Sequence, residues 1–176
     1  GLTSKWLFEV WELYAHSIWL SLGIALACLL VTLVIGVPAA YVLSKWQGRA
    51  ARVLEEFVSL PLAVPGLALA LALLQLYGTM KGFRTSWLFI LVGHVLYTLP
   101  FMIRSVLVVF MAIDLKTLEE GAASLGASAW RRFVDIAVPN AMPGILAGSL
   151  TVVTLSIGEF NLTWMLHVPY LKTLPV

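Results

Sequence analysis

The sequence predicts an all-α fold, a polytopic transmembrane helix bundle, on three observations. Hydrophobic residues fill 61% of the 176 positions and charged residues only 11%, with a mean hydropathy of +0.97. A soluble domain of this length has no interior large enough to hide that apolar surface, so the bilayer is its main solvent. Four apolar runs come close to or exceed the roughly 20 residues a membrane-spanning helix needs. The Lys and Arg residues lie between these runs, Arg104 excepted.

The first run, about Ser17 to Ser44, carries no charge. The second, about Phe57 to Met80, is also uncharged, with Pro61, Pro65 and Gly66 near its start. These residues break a helix, and in lipid the freed backbone groups must be satisfied by neighbours or water. Two readings stand: a pore-lining helix that moves at its kink, or a static kink. The third run, about Thr85 to Ile113, is interrupted by Pro100 and Arg104, and the fourth, about Pro143 to Gly158, is entered through the Pro139 to Pro143 stretch. Trp6, Trp11, Trp19, Trp87 and Trp164 cluster near run ends, as an interfacial aromatic belt does. Gly23, Ala27, Gly144, Gly148 and Ser149 are small enough to let helices approach closely, and Cys28 sits in an apolar run as a small packing residue.

Lys and Arg set the orientation. Lys45, Arg49 and Arg52 follow the first run, and Lys116, Arg131 and Arg132 lie between the third and fourth, which puts both segments inside. Lys5, Lys81, Arg84 and Lys172 fall on the other side. The chain then begins and ends outside, with no signal-peptide pattern at its start. That parity predicts a fragment whose flanking first and last spans are missing.

Between the third and fourth runs lies a polar island, Thr117 to Pro139. Thr117 followed three residues later by Glu120 predicts a capping box. Glu119 and Glu120 then sit where a helix dipole favours negative charge. Gly126 is placed to end that helix in a left-handed turn. Ser128 caps a second helix through Trp130, Arg131 and Arg132, which is predicted to stop before Pro139.

Glu120-Gly121-Ala122, then Gly126, then Ile136-Ala137-Val138-Pro139 resembles the EAA motif of the integral membrane permease subunits of binding-protein-dependent ABC importers. Every anchor agrees in spacing; Gly121 stands for the first Ala of that motif and Val138 for its Leu. The resemblance implies a type I permease-like fold, with residues 1–176 as one transmembrane domain, a cytoplasmic coupling segment over 114–138, and four of six spans present. It implies an ATPase-coupling set of Thr117, Glu119, Glu120, Gly121, Ala122, Gly126 and Pro139. It also implies two cytoplasmic ATPase subunits, a second permease subunit (identical or homologous), an external solute-binding protein and a bacterial inner-membrane location. No cofactor is then bound by this chain, and ATP and Mg belong to the partner ATPase. The Gly158-Glu159-Phe160 segment resembles the polyamine-, phosphonate- and iron-type branch, with 2-aminoethylphosphonate or a polyamine as the substrate implied.

Outside the island, Pro65, His94, Tyr97, Arg104 and Glu159 are the candidate path residues. His94, Tyr97 and Arg104 recur at helical spacing and are predicted to share a face with Pro100 between them. Arg104 either faces a polar path or snorkels to the cytoplasmic interface. His94 reads as a packing histidine before a proton relay, and Glu159 as either pore-lining or solvated at the interface. There is no phosphate-binding GxxxxGK[ST] loop, HExxH or Ser/His/Asp constellation, no Cys/His metal cluster, and nothing that points to nucleic acid. The sequence thus describes a transporter subunit, not an enzyme. The rival readings are an ion-driven secondary transporter using His94, Arg104 and Glu159, and a membrane anchor that docks a cytosolic protein.

Overall fold

Uninterrupted apolar sequence becomes uninterrupted helix. The computed structural model describes residues 5–46, 53, 56, 65–168 and 173–174. Helix α1 (Lys5–Lys45) holds the first run and passes through Pro38 without ending. Its stretch Tyr14–Lys45 is long and apolar enough to cross a membrane. Helix α2 (Gly66–Tyr77) is a 12-residue piece of the second run, and the short α3 (Lys81–Arg84) turns the chain. Helix α4 (Trp87–Ala112) is the second helix long and apolar enough to span. Helix α5 (Leu115–Ser124) follows, then α6 (Ala129–Asn140), α7 (Met142–Gly158) and α8 (Phe160–Leu166). The calls on Lys5 and Trp6 side chains, and on Arg49, Arg52, Pro61 and Lys172, lie outside the described residues.

Two expected proline breaks are absent. Pro100 is buried inside α4, which continues through it and through Arg104. Proline removes one helix hydrogen bond, but here α4 packs along both α1 and α7, and that packing holds the flanking turns. The second island helix does not stop before Pro139 either. Residues Arg132–Ala137 widen into a π turn in which Val138 donates to the Phe133 carbonyl, and the helix runs on to Asn140. The wider turn relieves the clash a proline ring makes with the carbonyl four residues back. The Asn140 amide takes up the Ile136 carbonyl at 2.8 Å. Only at Ala141 does the axis turn, by 71°, into α7.

Helices α1, α4 and α7 pack pairwise and form the core, with α8 laid against α2 and α4. Ile24, Cys28, Phe89, Met102, Val106 and Val152 are buried between them. Two glycines set the α4–α7 distance. A β-carbon at Gly144 would lie 2.5 Å from the Ser105 carbonyl oxygen, and one at Gly148 would lie 2.9 Å from Met102 Sδ. Such small-xxx-small pairs let backbones meet where lipid supplies no hydrophobic drive. Ala27 packs against the core, and the half-buried Ser149 hydroxyl donates to the Ile145 carbonyl of its own helix. Gly23, expected at a contact, has no neighbour within 4 Å. Trp11, Trp19, Trp87 and Trp164 are exposed, as belt residues must be.

Gly144→Val is expected to force α7 off α4. Overpacking of this kind costs about 1–3 kcal/mol, read as a lower thermal midpoint of the protein in detergent micelles. Gly23→Val should leave the midpoint in place. Equal midpoints for the two variants would show that the close approach at Gly144 contributes nothing.

Candidate coupling site and translocation path

The island folds as two capped helices, but its first cap lies three residues upstream of the expected capping box. Asp114 is the N-cap of α5: its carboxylate accepts from Thr117 N at 3.2 Å and from the Thr117 hydroxyl at 2.6 Å. Thr117 is therefore the third residue of the helix, and Glu119 and Glu120 stand in its second turn, beyond the reach of the N-terminal dipole. Sequence reasoning passed over Asp114, although an Asp just before an apolar-periodic start is a standard N-cap signal. At the other end Gly126 has φ +85°, and a Schellman pair closes the helix: Gly126 N donates to the Ala123 carbonyl and Ala127 N to the Ala122 carbonyl, both at 3.0 Å. Ser128 then caps α6 by accepting from Arg131 N.

The adjacent carboxylates of α5 point to different solvents. Glu120 is exposed and lies 3.8 Å from Lys116 one turn back. Glu119, expected to face outward with it, is buried against α1. It accepts from the Tyr41 hydroxyl at 2.5 Å and pairs with Lys45 Nζ at 2.6 Å. The Lys45 ammonium also donates to the Tyr41 oxygen and lies 3.9 Å from the centre of its ring. That ring packs against Phe133 of α6 at 4.9 Å and Phe110 of α4 at 6.0 Å. Tyr41 thus touches side chains from α4, α5 and α6. No sequence signal singled it out, since a Tyr in an apolar run is unremarkable until its hydroxyl finds a carboxylate. A cavity of about 590 Å³ opens beside this cluster, lined among others by Ser44, Lys45, Asp114, Lys116, Glu120 and Arg132.

Thr117, Gly121, Gly126 and Pro139 are exposed and Ala122 half-buried. Around them Leu118, Leu125 and Trp130 are also exposed.

The path candidates separate into three places. His94 is buried between α7 and α8, with Nδ1 2.9 Å from the Ser156 hydroxyl and Nε2 2.9 Å from the Thr163 hydroxyl. Thr163 donates to the Glu159 carbonyl, so it accepts from His94 Nε2–H, while Nδ1 accepts from Ser156. This is a neutral, satisfied packing histidine. Tyr97 is half-buried beside Phe101, and Arg104 is exposed on the far side of the helix from the core, so the expected shared face does not form. At 100° per residue His94 stands about 60° around the helix from Tyr97 and about 80° from Arg104, which accounts for the split. Pro65 and Glu159, distant in sequence, do come together. Pro65 precedes the first residue of α2, and a β-carbon at the next position, Gly66, would lie 2.6 Å from Glu159 Oε1. That carboxylate caps α8 by accepting from Leu162 N at 3.0 Å. Ser156 and Thr163, on either side of Glu159, both reach His94, so this break sits about 10 Å inside the Trp87 end of α4 at 1.5 Å per residue. Among the described residues no group of His, Cys, Asp and Glu is arranged to hold a metal ion.

The chain belongs to the family of binding-protein-dependent transport system inner membrane components, whose model matches residues 32–168. It is 30% identical over 158 residues to the molybdenum transport system permease protein ModB of Haemophilus influenzae, covering 82% of this chain and 68% of that protein. It is 32% identical over 144 residues to the molybdate/tungstate transport system permease protein WtpB of Thermococcus kodakarensis, covering 79% and 55%. To the sulfate transport system permease protein CysW of Escherichia coli K12 it is 31% identical over 158 residues, covering 83% and 54%. These relatives give the expected polyamine and phosphonate branch no support.

The Asp114 cap makes the start of α5 sensitive to acid. The Thr117 hydroxyl bond first, and its backbone bond second, hold the Asp114 carboxyl below the usual carboxylate range. A depressed folded value contributes stability above the unfolded carboxylate range and loses it as pH falls through the folded value. Protection of the Thr117 amide, corrected for intrinsic exchange, is expected to drop in that window, and Asp114→Asn should remove the dependence. Protection that ignores pH in the unsubstituted protein would exclude Asp114 as the cap.

Proposed function

We propose that this chain is a translocating permease subunit of an ATP-driven importer, multi-pass in a bacterial inner membrane, with α5 as the helix that docks on a separate ATPase. The observation that carries the reading is the outward face of the island: a helix capped at both ends, holding Glu120, Gly121 and Ala123 in the open beside exposed Leu118, Leu125 and Trp130. Small residues along such a helix let a partner's groove close on its backbone. Glu120 offers that groove a charge, and Gly126 fixes where the helix ends.

Two ATPase subunits would supply ATP and Mg, and two permease subunits, identical or homologous, would enclose the path. An external solute-binding protein would deliver the substrate. The conformational change is a rigid-body switch biased by nucleotide. The names of the relatives favour a tetrahedral oxyanion of the molybdate, tungstate or sulfate type as substrate over an aminoethylphosphonate or polyamine.

A membrane pull-down of the full-length protein is expected to recover an ATPase, and the Glu120→Ala, Gly126→Val double variant to lose it. A β-branched residue in the left-handed conformation at Gly126 costs at least about 1–2 kcal/mol, enough to displace the helix end. Equal recovery by both proteins would remove α5 as the docking element, and no ATPase in either would remove the importer reading. For the substrate, uptake of labelled molybdate or sulfate by cells carrying the whole system should be competed by the other oxyanions and not by 2-aminoethylphosphonate or spermidine. The reverse pattern would restore the phosphonate and polyamine branch.

A further inference from the structure

We propose that Glu119 is the positioning residue through which displacement of α5 reaches the membrane bundle, by way of Tyr41 and Lys45 at the inner end of α1. The proposal rests on the reading of α5 as the docking helix. It assigns the two neighbouring glutamates opposite tasks: Glu120 faces the partner and Glu119 holds the bundle.

Three observations carry it. The backbone of α5 packs chiefly on α6, so the first span is reached by long side chains. The Glu119 carboxylate supplies that link, with charge-assisted bonds to Tyr41 at 2.5 Å and Lys45 at 2.6 Å. Bonds of this type are roughly twice as strong as neutral ones. The carboxylate is buried while the Lys45 side chain is 40% exposed. Breaking the link therefore strands the Glu119 charge, whereas Lys45 retains water. The receiving end is also rigid. The Tyr41 ring is fixed between Phe110 and Phe133, so a pull on its hydroxyl acts on α1 together with the side chains of α4 and α6. Tyr41 and Lys45 are one turn apart on α1, a 41-residue continuous helix that carries a displacement of its inner end along its length.

The test is a distance measurement in the full-length permease assembled with its ATPase. Nitroxides are placed at Trp46→Cys, exposed just beyond α1, and Lys116→Cys, exposed in the first turn of α5 and away from its Gly121–Ala123 stretch. Pulsed dipolar spectra are recorded nucleotide-free and after trapping with ATP and vanadate. With Glu119 intact, one narrow distance is expected in both states, because α5 and the end of α1 travel together. In Glu119→Ala the ATPase should still co-purify and hydrolyse ATP, and the distance should shift or broaden on trapping. Tyr41→Phe, which keeps the ring and removes only the hydroxyl, should show the same change in smaller degree and covers the case in which Glu119→Ala fails to insert.

A distance that stays narrow in both variants through both states would overturn the proposal. So would a distance that changes on trapping in the unsubstituted protein. Loss of ATPase from Tyr41→Phe would make the cluster a matter of folding alone and overturn it as well. Failure of the unsubstituted protein to retain any ATPase would instead remove the docking reading itself, and this proposal with it.

Discussion

A polar group carried into hydrocarbon has no water to turn to, and the arrangement of this bundle follows from that constraint. The Thr32 hydroxyl donates to the Cys28 carbonyl. The Thr98 hydroxyl donates to the His94 carbonyl, which leaves its oxygen to accept from the Cys28 thiol at 3.2 Å. His94 in turn lies between Ser156 and Thr163. The result is a seam of hydroxyls, one thiol and one imidazole that joins α1, α4, α7 and α8. The Cys28 thiol and the His94 imidazole find these partners only when all four helices are in register. Gly144 and Gly148 act in the same direction, because the seam closes only if α7 comes close enough to α4. Polar pairing and small-residue packing thus specify one arrangement where apolar side chains alone would tolerate several.

Much of this was legible in the residues. Long apolar runs gave α1 and α4, and the glycines of α7 announced a close helix contact. Gly126 announced its left-handed turn because few other residues accept one. Where sequence reading failed, a three-dimensional partner had overridden a local rule. Pro139 looked like a stop, but the preceding turn widened to accept it. Thr117 and Glu120 had the spacing of a capping box, but Asp114 stood three residues ahead and reached Thr117 first. Glu119 and Glu120 are equivalent in composition and adjacent in sequence. Only the position of Tyr41, 78 residues away, decides that one is buried and the other exposed. The meeting of Glu159 with Gly66 was likewise invisible, since neither residue marks the other along the chain.

The two ends of the bundle solve related problems differently. At one end, Arg84 donates to the Leu166 carbonyl at 2.8 Å and sits 5.2 Å from the Phe89 ring. This ties the α3–α4 turn to the last turn of α8, where a cation suits the helix C-terminus. At the other end, Tyr41, Lys45 and Glu119 tie α1 to α5. The first tie acts on a carbonyl and adds a cation to a helix end. The second joins two full charges and a hydroxyl, and it is the one that meets the island.

The bend at Ala141 completes the mechanical argument. Helix α6 is attached to the bundle by the ring of Phe133 on Tyr41, by Ile136, Ala137 and Val138 packed on the core, and by the covalent passage through Pro139 and Ala141 into α7. Three residues beyond that bend, Gly144 holds α7 against the backbone of α4 at Ser105. Because no side chain intervenes there, α7 has little freedom to slide or rotate at its inner end. A force on the α5–α6 pair therefore meets a fixed pivot at the bend and a polar grip at Glu119. A lever needs both, and the two are supplied by different physics: steric exclusion at Gly144, and a charge that water cannot stabilise once it is buried at Glu119. This is why the pair of capped helices is positioned by residues at the adjoining ends of α1, α4 and α7.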